Sequence, residues 1–357
     1  MINVTKTYIP DSKKYKSYID KIFSSGWLTN NGQFVRQLEK RLKQYLNVKN
    51  ILLVCNGTIA LQLAYRLLEL KGKIITTPFT FVATVSSQVW EGLNPIFCDI
   101  DKETYNIDSQ KIEKSITDNS SAIVPVHVFG NSCDINFIDS ISKKNNLKVV
   151  YDASHAFGVT YKGKSILEYG DISTLSFHAT KLFHTVEGGA LVIKDDKLYE
   201  KAKKMINFGI YESDNIKYLG INAKMNELQA AMGLCVLDDI DKIIYCRKMV
   251  HEYYMSKLPQ NLQFQKQNKY SSRNYSYFPV VFEDEKILLR VEYSLKKEGV
   301  NPRRYFYPSL EKLNYLNKNQ YAPISSSISK RILCLPMYDS LTVKDQDKII
   351  NVIKKSV

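Results

Sequence analysis

Residues 173–193, STLSFHATKLFHTVEGGALVI, contain two apolar runs separated by a polar loop. Residues 173–177 and 190–193 have the composition of short buried strands, and Lys181 lies in the loop between them. Gly188 and Gly189 leave room beside the lysine. Burial in such a site would lower the pKa of Lys181 and make it an amine nucleophile toward a carbonyl group, although a solvated loop lysine explains the same pattern.

On both sides of this segment, apolar runs alternate with helical stretches from about residue 33 to 235. The alternation predicts an α/β fold with a mostly parallel central sheet. Four further runs have the composition of strands, in addition to the two quoted above: residues 51–54, 73–77, 122–126 and 147–151.

A second, smaller domain is predicted toward the carboxyl end. Residues 223–258 have a long helical pattern that is broken only by Gly233, and they would connect the two domains. A strand at 275–282, a helix at 285–298 and a closing helix at 342–356 would form the smaller α+β domain. The predicted division is 1–235 for the large domain with the N-terminal segment and 236–357 for the connecting helix and the small domain.

The composition is that of an ordinary soluble protein, with 44% apolar and 24% charged residues. No apolar run reaches the roughly 20 residues of a bilayer span, so the cytoplasm is the default location and no membrane partner is expected. The six cysteines lack any CxxC spacing, and we predict neither a metal site nor a disulfide frame. The net charge of +14 favours a solvated basic surface over a nucleic-acid partner, and it is compatible with steering of an anionic substrate.

Polar residues that follow apolar runs are the first candidates for a site, because ligands collect at the carboxyl ends of parallel strands. Gly57 and Thr58 stand between a strand and a helix, where free N–H groups could receive a phosphate. An ordinary turn is the alternative. Phe81 follows another strand and could stack on a flat ring, although a phenylalanine in an apolar stretch usually belongs to the core.

Asp152 follows the strand at 147–151, and His155 comes three residues later. A buried carboxylate at this position would need a cationic partner, because an unpaired buried charge is costly. A helix N-cap is the alternative for Asp152 considered alone. Together, a phosphate cradle, an aromatic platform, a carboxylate for a pyridine nitrogen and a lysine for an aldehyde are the parts that pyridoxal 5′-phosphate (PLP) requires.

These segments resemble the DegT/DnrJ/StrS group of nucleotide-sugar aminotransferases, within the fold type I PLP enzymes. The resemblance covers almost the whole chain and rests on the segments GWLT, NGTIAL, TTPFTFVAT, PVHVFGNSCD, DASHAFG, SFHATK, EGGAL, GINAKMNELQAAMG and LCLPMYDSLT. Lys181 distinguishes the chain from a family variant that carries histidine there and dehydrates the sugar.

The resemblance implies that Lys181 and Asp152 are catalytic. Lys181 would link covalently to the cofactor, and Asp152 would face its pyridine nitrogen. It implies the following cofactor-binding residues: Gly57, Thr58, Phe81, Asp152, His155, Ser176, Lys181 and Asn222. Asn222 would reach the cofactor of a neighbouring subunit, which implies a homodimer with shared active sites.

For substrate binding, the resemblance implies four residues: Thr29, His178, Arg304 and Tyr307. Residues 302–310 lie where related proteins often carry a histidine, but here Leu310 is followed by Glu311. His184 could contact substrate or simply pack.

The reaction implied is transfer of an amino group from glutamate to a nucleotide-linked keto sugar. The segment SFHATK favours a C4-acting enzyme that converts dTDP-4-keto-6-deoxyglucose into dTDP-4-amino-4,6-dideoxyglucose, as in O-antigen and lipopolysaccharide biosynthesis. A C3-acting keto-sugar or cyclitol aminotransferase of the same family is the alternative.

Overall fold

A computed structural model of the chain describes residues 1–316 and 320–357. Twelve α-helices are present in this part of the chain: α1 Ser12–Ser25, α2 Gln33–Leu46, α3 Gly57–Leu67, α4 Val82–Trp90, α5 Ile112–Ser115, α6 Ile135–Lys144, α7 Asp196–Met205, α8 Glu227–Asp238, α9 Ile240–Lys257, α10 Glu285–Lys297, α11 Pro323–Arg331 and α12 Val343–Ser356.

Sixteen strands accompany them within the described residues: β1 Ile2–Asn3, β2 Ile51–Val54, β3 Lys73–Thr76, β4 Asn94–Phe97, β5 Ser120–Val124, β6 Lys148–Asp152, β7 Thr160–Tyr161, β8 Lys164–Ser165, β9 Ile172–Ser176, β10 Gly189–Ile193, β11 Ile210–Glu212, β12 Asn215–Ile216, β13 Gln263–Phe264, β14 Phe278–Val281, β15 Val300–Asn301 and β16 Ile332–Leu335.

Seven strands form a central sheet in the order β2-β10-β9-β6-β5-β3-β4. Strand β10 is antiparallel to both of its neighbours, and the other four pairs are parallel. The prediction of a mostly parallel α/β sheet is therefore confirmed, and all six predicted strands are present. The sequence analysis missed the edge strand β4.

Both faces of this sheet are buried. Along β2, Ile51 and Leu53 belong to one apolar core, whereas Leu52 and Val54 belong to another. Successive side chains of a strand point to opposite faces, so a strand covered on both sides is apolar throughout. Helices α2, α6 and α8 supply residues to the first core, and α3 and α7 supply them to the second.

The carboxyl end of the chain has its own core around an antiparallel sheet in the order β13-β14-β16. Helices α9, α10 and α12 pack around this sheet. The predicted strand, helix and closing helix of this part are confirmed as β14, α10 and α12. Strand β1 pairs with β15, so the first residues of the chain also join this part. We propose the division at residues 235 and 236, with β1 added to the smaller domain.

The connecting helix differs from the prediction. It consists of two helices, α8 and α9, which meet at Asp239, and Gly233 lies inside α8. A side chain at Gly233 would lie 2.7 Å from Leu38 Cδ2 and 2.8 Å from Thr185 Cγ2. Close packing therefore explains this glycine, and it does not mark a break in the helix.

Helix α4 has an inverted distribution of polarity. Its inward face buries Thr84, Ser87 and Gln88 beside Val85, whereas Val89 and Trp90 are 36% and 83% exposed. Surface helices normally bury their apolar stripe and expose their polar one. Of these side chains, Thr84 contacts the sheet, where its hydroxyl donates to Asp152 at the carboxyl end of β6.

Within residues 1–316 and 320–357, no helix is long and apolar enough to cross a membrane. The same residues contain no cluster of three or more histidine, cysteine or acidic side chains arranged to hold a metal ion. The six cysteines are free thiols.

Candidate active site

A cavity of about 270 Å³ opens at the carboxyl edge of the central sheet. The segments that follow β2, β3, β6 and β9 border one side of it, which is the position expected for a ligand site in an open α/β sheet. Seven of the eight residues predicted to bind the cofactor line this cavity: Gly57, Thr58, Phe81, Asp152, His155, Ser176 and Lys181. His178 lines it as well.

Lys181 lies in the loop between β9 and β10. Burial lowers the pKa of its amine to about 8, and the charge of Arg303 acts in the same direction, whereas the charge of Asp152 opposes them. Lys181 Nζ lies 3.3 Å from Tyr277 Oη, to which it donates a hydrogen bond. A lysine with this pKa has a much larger neutral fraction near pH 7 than an ordinary lysine, and the neutral amine is the nucleophilic form.

Asp152 is the last residue of β6, and only 5% of it is exposed. Its carboxylate oxygens accept one hydrogen bond each: Oδ2 from the Thr84 hydroxyl at 2.7 Å and Oδ1 from the backbone N–H of Ser154 at 3.0 Å. The N-cap alternative does not apply, because no α-helix follows within the next twenty residues. A buried carboxylate held by neutral donors is suited to pair with a cationic group that enters the cavity.

The turn after β2 forms a tight backbone cradle. Helix α3 begins at Gly57, and the Asn56 side chain accepts a hydrogen bond from Ile59 N. A Cβ atom on Gly57 would lie 2.8 Å from Ser176 Cβ, and one on Gly189 would lie 2.6 Å from the carbonyl carbon of Asn56. The helix N-terminus, the exposed Thr58 and Ser176 therefore surround a space that side chains at these glycines would disturb.

His155 is a neutral imidazole. Burial, reinforced by the charge of Lys181, lowers its pKa well below the ordinary value. Its Nδ1 accepts a hydrogen bond from Phe129 N at 3.2 Å, which leaves the ring proton on Nε2. The ring stacks against Phe306 at 5.9 Å between centroids. His155 can therefore donate a hydrogen bond from Nε2 to an oxygen atom.

Phe81 and His178 lie toward solvent. Phe81 is 47% exposed at the start of α4. The alternative that it belongs to the core is therefore excluded. His178 Nδ1 is 2.8 Å from Thr180 Oγ1, and His178 Nε2 is 3.6 Å from Glu187 Oε1. These exposed polar groups at the mouth of the cavity can contact hydroxyl groups of a substrate.

Three of the four residues predicted to bind substrate do not line the cavity. Arg304 donates to Glu285 Oε1 at 2.7 Å and to the carbonyl oxygen of Lys330, and Tyr307 stacks against Arg304. This ion pair turns Arg304 away from the cavity. Thr29 is exposed outside the cavity.

Two further predictions concern residues outside this cavity. Asn222 is exposed and forms an isolated β-bridge with Asn207, so it does not contribute to the site of its own chain. His184 is 1% exposed, accepts from Val186 N and donates from Nε2 to the carbonyl oxygen of Tyr8. The packing alternative is therefore the correct one for His184.

The opposite side of the cavity consists of residues outside the predicted catalytic, cofactor-binding and substrate-binding sets. They are Tyr277, Arg303, Tyr305 and Phe306, all from the carboxyl-terminal part of the chain. The Arg303 guanidinium lies 4.5 Å from the Tyr305 ring centre, and its backbone exchanges two hydrogen bonds with Cys334. Arg303 and Tyr305 belong to the same segment, 302–310, as the predicted Arg304 and Tyr307, but only the first two line the cavity.

These residues fit the cofactor that the resemblance implies. The glycine cradle at the start of α3 suits a phosphate, the buried Asp152 suits a protonated pyridine nitrogen, and Phe81 and His155 border the space between them. Lys181 offers an amine of lowered pKa to an aldehyde.

Comparisons with known proteins agree with this geometry. A model of the DegT/DnrJ/EryC1/StrS aminotransferase family matches residues 11–354. A dTDP-4-amino-4,6-dideoxy-D-glucose transaminase of Shigella dysenteriae is 41% identical over 99% of the chain and 98% of its own length. A transaminase of the same name from Escherichia coli is 38% identical over 99% of the chain and 98% of its own length. Among solved structures, DesI in the presence of its TDP-sugar product superposes with a TM-score of 0.92. The match covers 99% of this chain and 91% of DesI, and the two sequences are 31% identical.

Proposed function

Because the chain belongs to the DegT/DnrJ/EryC1/StrS aminotransferase family and is therefore a PLP-dependent aminotransferase, we propose a specific reaction for it. The enzyme transfers the amino group of glutamate to C4 of dTDP-4-keto-6-deoxyglucose, which gives dTDP-4-amino-4,6-dideoxyglucose. The observation that carries this proposal is the 41% identity to the Shigella dysenteriae transaminase over nearly the full length of both chains.

The residues of the large-domain side would hold the cofactor. Gly57, Thr58 and Ser176 would bind its phosphate, Asp152 would face its ring nitrogen, and His155 would donate from Nε2 to its phenolic oxygen. When bound, PLP supplies an aldehyde for amine exchange and a ring that withdraws electrons from the reacting carbon.

Lys181 would bind the cofactor covalently in the resting enzyme and would then act as the acid and base. Its amine would take the proton from the α-carbon of glutamate and, in the second half of the reaction, deliver a proton to C4 of the sugar. Tyr277 Oη, at 3.3 Å from Nζ, would orient the amine for both transfers. The negative charge of Asp152 would favour the protonated ring nitrogen throughout.

The opposite side of the cavity would bind the substrates. Arg303 has no ion-pair partner among the described residues, and it lines the cavity beside Tyr305. Its guanidinium would bind a carboxylate of glutamate or the diphosphate of the sugar nucleotide, and His178 would contact the sugar. These residues replace Arg304 and Tyr307 in the proposal.

The working unit is proposed to be a homodimer. Helix α4 leads away from Phe81 with an exposed apolar face that includes Trp90. Ile216 in β12 and Leu219 shortly after it are 73% and 75% exposed. Apolar surface of this kind is suited to a second copy of the chain. Asn222 would reach across this interface to the phosphate of the partner's cofactor.

The reaction is tested by incubating the enzyme with glutamate and dTDP-4-keto-6-deoxyglucose and locating the new amine by NMR. The 3-keto isomer and a GDP-linked 4-keto sugar serve as matched substrates. We expect amination at C4 of the dTDP sugar. Amination of the 3-keto isomer alone would contradict the C4 assignment and support the C3-acting alternative.

Shared active sites are tested by mixing inactive subunits. A mixed dimer of Lys181→Ala and Asn222→Ala chains contains one site with an intact lysine and an intact asparagine, so we expect activity above that of either parent. A mixture of Lys181→Ala with Asp152→Asn is the control, because both changes damage the subunit's own site and no intact site results. Equal activity in both mixtures would contradict sharing.

A further inference from the structure

Two threonine hydroxyl groups lie behind the carboxylate of Asp152. Thr84 Oγ1 is 2.7 Å from Asp152 Oδ2, and Thr80 Oγ1 is 2.9 Å from Thr84 Oγ1. Each threonine is 1% exposed, and both border the active-site cavity together with Asp152. The three side chains therefore form one buried row of hydrogen bonds.

The direction of these bonds follows from the chemistry of the groups. An ionised carboxylate only accepts hydrogen bonds, and a hydroxyl has a single proton to donate. Thr84 therefore donates to Asp152, and Thr80 donates to Thr84. Because hydrogen bonds in a row polarise one another, the hydroxyl of Thr80 strengthens the bond that Thr84 makes. The other oxygen of Asp152 accepts from Ser154 N at 3.0 Å, so both oxygens are held.

The inverted polarity of α4 accounts for the position of Thr84. The helix buries Thr84, Ser87 and Gln88 and leaves Trp90 in solvent. Burying a hydroxyl stabilises a protein no better than burying a methyl group unless the hydroxyl finds a hydrogen-bond partner. The partner of Thr84 is the carboxylate at the centre of the site.

We propose that Thr84 is a positioning residue for Asp152 and that Thr80 supports it. The proposal rests on the proposed role of Asp152 toward the ring nitrogen of PLP. With one bond from Thr84 and one from Ser154, the plane of the carboxylate is fixed before the cofactor enters.

Other titratable groups also interact with the charge of Asp152: Lys181, Tyr65 and Tyr277. Burial raises the pKa of both tyrosine hydroxyls, so they are neutral near pH 7. These groups are unchanged when the hydroxyl of Thr84 is removed. A change in the pH behaviour of the bound cofactor would therefore report on Asp152.

The test compares four variants of the full-length protein. Thr84→Val removes the hydroxyl and keeps the shape, Thr84→Ser keeps the hydroxyl, and Thr80→Val removes the supporting group. The matched control is Thr76→Val, because the Thr76 hydroxyl is equally buried but donates to the carbonyl oxygen of Val124 at 2.8 Å. Two quantities are measured: the Kd for PLP, by titration of the apoprotein, and the pH midpoint of the visible absorbance change of the bound cofactor.

We expect Thr84→Val to weaken PLP binding by about tenfold and to move the pH midpoint, because a hydrogen bond to a charged group is lost. Thr84→Ser should stay within about twofold of wild type, Thr80→Val should shift both quantities less and in the same direction, and Thr76→Val should leave both unchanged.

Wild-type values in Thr84→Val, or equal changes in Thr84→Val and Thr76→Val, would overturn the proposal. If Thr84→Val does not fold, Thr84→Ala takes its place with the same expectations. A wild-type midpoint in Asp152→Asn would instead remove the proposed role of Asp152, and that result is distinct from a failure at Thr84.

Discussion

The two sides of the active-site cavity are built differently. The sheet side consists of strand ends and tight turns, with Asp152 at the end of β6 and Gly57 at the start of α3. The opposite side consists of side chains that the carboxyl-terminal part brings in, such as Tyr277 and Arg303. The sheet side is shaped by backbone and carries the groups proposed for the cofactor, whereas the opposite side carries those proposed for substrates. We therefore expect substitutions on the sheet side to have the larger effects.

Lys181→Ala should have the largest effect. Because one amine has both the covalent and the proton-transfer role, we expect turnover to fall by on the order of 10⁴-fold or more. Borohydride reduction followed by mass analysis should attach PLP to wild type at residue 181 and leave the variant unlabelled. Cofactor fixed to the variant would show that another lysine bears this role.

Asp152→Asn should come next. The change preserves the shape of the side chain but removes a preorganised charge from a buried site, and we expect kcat to fall on the order of 10³-fold. Steady-state kinetics at saturating substrates measure this effect, and PLP content is determined in parallel to separate turnover from cofactor loss. Near wild-type turnover at full PLP content would mean that Asp152 does not serve the ring.

Arg303 and Arg304 offer a neighbouring pair for comparison. Arg303→Gln should raise the KM for an anionic substrate about tenfold, because a charge-assisted hydrogen bond is lost in the cavity. Arg304→Gln should leave KM unchanged and lower the melting temperature by a few degrees, because its partner is the partly buried Glu285. A reversal of these two phenotypes would restore the original assignment of Arg304.

The charges on the two sides should also move the pKa of Lys181 in opposite directions. At a pKa of about 8, the neutral amine of the apoprotein increases as the pH rises through 8, so its rate of PLP capture should rise with the same midpoint. Because the charge of Arg303 lowers this pKa and the charge of Asp152 raises it, we expect the midpoint to move up in Arg303→Gln and down in Asp152→Asn.

Both shifts should be smaller than the lowering that burial causes, because desolvation is the largest cause. The rate is measured by borohydride trapping at a series of pH values. Midpoints that move in the same direction would contradict the opposed action of the two sides.

Tyr277→Phe should have the smallest effect. The hydroxyl of Tyr277 orients Lys181 through one hydrogen bond of 3.3 Å, so its loss should lower kcat roughly threefold to tenfold without changing the KM for either substrate. Tyr305→Phe is the matched control, because Tyr305 lines the same side and makes no hydrogen bond with Lys181. Equal effects of both changes would remove the positioning role.

The sheet side could be predicted from the sequence because its residues follow apolar runs directly. Asp152, Ser176 and Lys181 each lie within a few residues of a strand end, and parallel strands bring those ends to one edge. The opposite side has no such local signal. Tyr277 is 96 residues from Lys181, and its approach depends on how the carboxyl-terminal core docks on the sheet.

Local sequence patterns also could not decide whether Arg303 or Arg304 faces the cavity. Neighbouring side chains on an extended segment point in opposite directions, so one residue of register decides which arginine faces the cavity. The hydrogen bonds of Arg303 with Cys334 set that register, and Cys334 lies in a strand 31 positions later. Likewise, Glu311 in place of the histidine of related proteins accepts from the hydroxyls of Ser309 and Ser326 and is buried away from the cavity.

The glycine contacts at the start of β10 have a consequence for enzyme engineering. Gly189 and Gly57 bring three segments of backbone so close that a single added methyl group would collide with main-chain atoms or with Ser176. A library that randomises these positions would yield mostly misfolded clones, so the cofactor end of the cavity has a fixed size. A library for new acceptor sugars should instead vary His178, Arg303 and Tyr305. At these positions side chains form the wall of the cavity, so one side chain can be replaced without moving a strand.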